Sequence, residues 1–169
     1  MLVRGTHFAA TLPPDWHEES DPSGGLHFKD ATGFCEVFFN VMAFRAAGAK
    51  TIDWALLDLA EKAADAHRKN GATFVTEPRI AKKDDLRVTR MGVGPDSYGM
   101  PMFGFYGFVS HPAALDGSHV VVRYSYYEYW PPQRGLTGPP NLGSAEDTAA
   151  GYLSTLRLFP SGVESMPLN

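Results

Sequence analysis

The residue types able to do chemistry are present in this chain, but they are scattered. The six histidines are His7, His17, His27, His67, His111 and His119. None falls in a His-Glu-x-x-His, a His-x-His or a pairing with two cysteines, the spacings that bring ligands onto one metal. The nearest approach is His111 with His119, which flank one loop and would need a third ligand, Asp116 being closest. Isolated loop histidines are ordinarily solvated, so no metal centre is expected. Cys35 would need a histidine base beside it to act as a nucleophile. It falls on an apolar strand face, where a free thiol behaves as a small hydrophobe that labels slowly.

Ser97, Ser110 and Ser125 lack the strand–turn–helix elbow of a serine nucleophile. The acidic pairs Glu18-Glu19 and Asp84-Asp85 read as solvent-facing turn residues, whereas acid–base catalysis needs a carboxylate whose surroundings shift its pKa. Gly92-Val93-Gly94-Pro95 is no phosphate loop, because Pro95 removes an amide and no Gly-Lys-Ser/Thr follows. The expectation is a protein that is not an enzyme and carries no cofactor. A hydrolase with a dispersed site is a third class, with no residue to carry it.

The elements that position these residues can be read from composition and period. At 169 residues, 44% hydrophobic and 20% charged, the chain has globular values and the length of one domain, 1–160, with a C-terminal tail over 161–169. A net charge of −4 argues against nucleic acid as partner, since Lys82, Lys83 and Arg87 form only a local basic cluster. No apolar run approaches the roughly 20 residues of a membrane span, so no integral membrane segment is expected. The lone thiol and the absence of an apolar block near Arg4 and His7 place the protein in the cytoplasm.

Strands are expected over 8–12, stopped by Pro13-Pro14, and over 26–29 between two turns. A third, over 34–44, sets Cys35, Val37, Phe39, Val41 and Ala43 on one apolar face and Glu36, Phe38, Asn40, Met42 and Phe44 on a mixed one. Residues 51–70 form a helix whose stripe is Ile52, Leu56, Leu59, Ala60, Ala63 and His67, with Thr51 as N-cap and Asn70-Gly71 as stop. Strands follow over 73–81 and 86–91, joined by Lys82-Lys83-Asp84-Asp85, and then two aromatic strands over 102–110 and 119–129. After a proline-rich loop, Ser144 opens a helix with the stripe Ala149, Tyr152, Leu153, Leu156 and Phe159, ended by Pro160. This order, βββ-α-ββββ-α, implies an α+β fold. One twisted, mostly antiparallel sheet of about six to seven strands would carry two main helices packed on it.

The opening Phe8-Ala9-Ala10-Thr11-Leu12-Pro13-Pro14-Asp15-Trp16 and the ending Tyr152-Leu153-Ser154-Thr155-Leu156-Arg157-Leu158-Phe159 resemble the PsbP-like fold group. That group includes a photosystem II extrinsic subunit, a Ran-binding nuclear import factor and chaperones of type VI secretion effectors. Asp15 stands where the group usually has glycine. The resemblance covers most of the chain and implies the fold, a protein partner and no shared catalytic residues. A member of the chaperone kind would also be bacterial, homodimeric and equipped with an apolar groove.

Two surfaces follow. Tyr127, Tyr129, Trp130 and Arg134 run into the proline-rich loop with the Tyr/Trp/Arg composition of binding hot spots. Met102, Tyr106 and Phe108 share one strand face and would line an apolar pocket between sheet and helix. The first surface supports a non-catalytic protein-binding module, such as a chaperone, adaptor or immunity protein of a bacterial secretion system. The second supports a small-molecule or lipid binder.

Overall fold

The computed structural model describes residues 1–45, 51–72, 75–83, 86–93, 102–110, 118–129 and 142–159. Its centre is a seven-stranded antiparallel sheet in the order β3-β4-β5-β9-β8-β7-β6. These strands are β3 His17–Glu19, β4 Leu26–Lys29, β5 Cys35–Arg45, β6 Arg79–Lys83, β7 Leu86–Val93, β8 Met102–Ser110 and β9 Ser118–Tyr129. A second sheet of three short strands sets β2 Phe8–Thr11 between β1 Leu2–Arg4 and β10 Arg157–Leu158. The helices are α1 Ile52–Lys69 and α2 Leu142–Ser154.

Strand parity decides what lies on each side of the large sheet. Cys35, Val37 and Phe39 pair with Glu128, Tyr126 and Tyr124, and so share one face. There they join Val122 in a core with Val3, Phe8, Ala10, Leu12 and Trp16 from the N-terminal segment and Ala149, Leu153 and Leu156 from the C-terminal one. On the opposite face Val121 and Met42 meet Leu56, Ala60 and Ala64 of α1, with Ile80 and Val75 at the margin. The helices therefore take opposite faces: α1 on one, α2 with the small sheet on the other. Periodicity along a single segment cannot reveal this, because it shows which stripe is apolar but not what that stripe meets.

Several expectations need adjusting. The third strand's apolar face is buried as far as Phe39, but Val41 is 40% exposed. The strand expected over 73–81 begins at Arg79; Pro78 has no N–H to give a ladder and lies just before it. The second helix ends at Ser154, well short of Pro160. There Thr155 Oγ1 donates to Tyr152 O (2.8 Å) and accepts from Thr11 N (2.9 Å), tying the chain to β2 and turning it into β10. Leu156 still reaches the core as the stripe requires. Glu18 and Glu19 lie in edge strand β3 and not in a turn, with His17 Nε2 3.2 Å from Glu19 Oε1.

The α1 boundaries follow local chemistry. Thr51, extended at ψ 159°, accepts from Trp54 N through its hydroxyl (3.2 Å), and Gly71 leaves the helix at φ +86°. The Phe8–Trp16 opening packs as a unit. Phe8 stacks on Phe39 with centroids 5.0 Å apart, and Trp16 meets Tyr152 edge-on at 5.5 Å.

Candidate functional site

The α1 side of the sheet carries a second, more polar region over β4, β5 and β9. Antiparallel register pairs Glu36 with Tyr127, Phe38 with Ser125, Asn40 with Arg123 and Met42 with Val121. Met42, Val121 and part of Tyr127 belong to the apolar contact with α1. Between them Phe38, Asn40, Arg123, Ser125 and Tyr127, together with Asp21 and Ser23, line an open concavity of about 220 Å3.

Several lining groups are held by neighbours. Arg123 Nη2 donates to Asn40 Oδ1 at 2.7 Å, and Asn40 Nδ2 lies 3.4 Å from Ser23 Oγ. Ser23 N donates to Asp21 Oδ1 at 2.7 Å. The Ser23 hydroxyl and amide, helped by His27, hold the Asp21 carboxyl below its usual range. The 21–25 turn reaches this wall because residue 25 is glycine. A Cβ there would collide with Asn40 Nδ2 and lie 2.7 Å from Asp21 Oδ2. Arg123 Nε is buried and has no acceptor among the described residues.

Beside the concavity runs a row of rings. His27 stacks on Phe38 (4.0 Å, 9°), Phe38 meets Tyr127 edge-on (5.8 Å), and Tyr127 stacks on Tyr129 (6.4 Å). Glu36 stitches the row together, with His27 Nε2 at 3.3 Å, Lys29 Nζ at 3.2 Å and the Tyr129 hydroxyl at 3.4 Å. Such a surface, with rings half-buried and edged by charge, is suited to contact.

The opposite face holds a different polar cluster. The Tyr126 hydroxyl donates to Glu128 Oε1 (2.8 Å) and lies 3.7 Å from Cys35 Sγ. Burial, followed by the nearby Cys35 and Glu128, pushes the Tyr126 phenol far above its ordinary pKa; burial does the same to Tyr124. A phenol held neutral this firmly neither gives nor takes a proton near neutral pH. Cys35 is buried here, as its strand face implied.

Tyr127 and Tyr129 thus stack together in the row of rings, while Trp130 and Arg134 lie outside the described residues. Met102, Tyr106 and Phe108 are placed by register opposite Tyr129, Ser125 and Arg123. His111 and Asp116 also lie outside the described residues, among which no group of three metal-ligating side chains occurs. Among those residues, no helix is long and apolar enough to cross a membrane. Sequence reasoning passed over Asp21, Ser23, Asn40, Arg123 and Ser125 as a group. Strand parity put Asn40 and Arg123 on faces of their own strands, but no sequence signal states that positions 83 apart are partners.

No protein-family model matches the chain, and no curated protein matches it in sequence. Solved structures do. LpqN of Mycobacterium tuberculosis, described as involved in cell envelope biogenesis, superposes with a TM-score of 0.61 at 12% identity, over 90% of this chain and 83% of that one. The Ran-binding protein Mog1p of Saccharomyces cerevisiae gives 0.52 at 8% identity, over 89% of each chain. A Mog1 mutant gives 0.53 at 9%, over 91% of this chain and 92% of that one. Identities this low establish shared architecture and nothing finer: two helices on antiparallel sheets, in the α+β arrangement of the PsbP-like fold.

Proposed function

We propose that the protein is a non-catalytic protein-binding module that meets its partner with the β4-β5-β9 region on the α1 side of the sheet. The carrying observation is the continuous row His27, Phe38, Tyr127 and Tyr129 beside a concavity holding Arg123. Rigid rings, an arginine and few rotatable groups are what binding hot spots are made of. The Ran-binding activity named for Mog1p supports a protein as the class of partner. A chaperone or adaptor role beside a bacterial secretion system rests on the PsbP-like resemblance of the opening and ending segments, and a cytoplasmic location on the lone thiol and the lack of an apolar block near Arg4 and His7.

A photo-crosslinking side chain at Tyr127, compared with one at Glu61 on the exposed side of α1, tests the reading in host cells. The expected result is a covalent adduct with one distinct protein from position 127 and none from 61. Equal labelling from both positions would refute it. An adduct with a second copy of the chain would identify homodimerisation as the contact, and light scattering on the purified protein would then show a dimer.

A small-molecule ligand is the second reading, favoured by the concavity itself and by the register of Tyr106 and Phe108 against its lining residues Ser125 and Arg123. The charged and hydroxylic lining suits a polar ligand better than a lipid. Native mass spectrometry after gentle purification is expected to show the bare chain mass under the first reading and a bound mass under the second.

A further inference from the structure

We propose that the concavity around Arg123 is a carboxylate-binding site, taking an acidic side chain or a chain terminus of the partner. This inference rests on the protein-binding reading of the same face and adds the chemistry of what that face grips. Arg123 is always charged, sits half-buried in central strand β9, and is held among the described residues by a bond from Nη2 to Asn40 Oδ1. Its Nε lies buried without an acceptor, and no ion pair joins Arg123 to a carboxylate among the described residues. A half-buried cation with no ion-pair partner among the described residues loses part of its hydration, and an arriving anion recovers part of that cost.

The lining decides which anion. The Ser125 hydroxyl and the second hydrogen of the Asn40 amide can donate to an anion, and Phe38 and Tyr127 form apolar walls. The guanidinium fork matches a carboxylate's two oxygens. Asp21 stands on the same wall, kept ionised and occupied by Ser23. Its negative charge opposes a phosphate dianion about twice as strongly as a carboxylate monoanion at the same distance. The wall is packed in place, since a Cβ on Gly25 would press on Asn40 Nδ2, Asp21 Oδ2 and the Phe39 carbonyl at once.

The test is an NMR titration of the isotopically labelled full chain with four probes: N-acetyl-glycylglycine, N-acetyl-glutamate methylamide, its glutamine counterpart and inorganic phosphate. Saturable shifts at Ser23, Asn40, Ser125 and the Arg123 Nε–H are expected with a carboxylate probe and not with the glutamine probe or phosphate. Response to glycylglycine alone identifies a chain terminus as the source, response to the glutamate probe alone an acidic side chain, and response to both any carboxylate. No saturable response, an equal response to glutamine, or tighter binding of phosphate overturns the proposal.

Arg123→Gln is expected to weaken the carboxylate probe by about tenfold or more. Because a change in a central strand can harm folding, Asn40→Asp serves as the second variant. It places a carboxylate on the guanidinium within the chain and should abolish probe binding while raising the melting midpoint by about 2–4 °C. Undiminished probe binding by folded Asn40→Asp overturns the site. A Tyr127 adduct that survives Asn40→Asp unchanged overturns the carboxylate inference while sparing the protein-binding reading. Probe binding without any specific adduct does the reverse.

Discussion

Arg123 and Tyr126 are three residues apart on one strand, face opposite sides of the sheet, and show two ways of treating a buried polar group. Tyr126 is satisfied by Glu128 and kept neutral; Arg123 keeps its charge, and its Nε has no acceptor among the described residues. The phenols have a consequence at high pH. Their folded pKa values are raised, so the neutral form's stabilisation is full below the ordinary tyrosine value near 10. It is lost as pH rises above that, because the unfolded chain gives up its protons first. Spectrophotometric titration is expected to show exposed tyrosines ionising gradually, then a cooperative step coinciding with loss of circular dichroism. Smooth ionisation of every tyrosine in a chain that keeps its dichroism would contradict the burial of Tyr124 and Tyr126. Asp21 works in the other direction. Its folded pKa is lowered, so its contribution is present above the ordinary value of 3.8 and disappears as pH falls through the folded value. Asp21→Asn should flatten the acid limb of the melting-temperature profile; an unchanged limb would mean that the Ser23 bonds do not persist in solution.

At the scale of elements, α1 is defined at both ends by single residues. Thr51→Ala removes the hydroxyl that receives Trp54 N and is expected to cost about 1 kcal/mol in denaturant unfolding. Gly71→Ala forces a side chain into the left-handed region at φ +86° and should cost roughly 1–2 kcal/mol. Leu56→Ala, in the middle of the α1 contact with the sheet, should cost about 2–5 kcal/mol by opening a cavity. A Leu56→Ala effect no larger than that of Thr51→Ala would show that α1 rests loosely on the sheet. The helices and long strands were legible in the sequence because each carries enough turns or alternations to display a period. The short strands β1, β3 and β10, of two or three residues each, display none. They form because neighbours supply partners: His17–Glu19 pairs with His27–Lys29, and Arg157 and Leu158 pair with Ala9 and Phe8.

For the whole molecule, the long central pair β5 and β9, matched residue for residue from Cys35 with Glu128 to Arg45 with Ser118, is the spine on which both cores are built. Amides of this pair are expected to exchange with solvent only through global unfolding, while those of edge strands β3 and β6 open locally and exchange first. Hydrogen exchange read by mass spectrometry checks the order, and slowest exchange in β3 or β6 would be incompatible with this arrangement.

By itself, the sequence determined the α+β class, the two long helices, the aromatic strands and the burial of Cys35, since all of these follow from periods and turn residues a few positions apart. Tertiary structure alone decided that the helices take opposite faces, that three terminal strands make a second sheet, and that Asn40 comes to lie on Arg123. Those outcomes depend on cross-strand register between segments some eighty residues apart. The energy that fixes such a register is side-chain burial summed over a whole face, and no local stretch of chain records that sum.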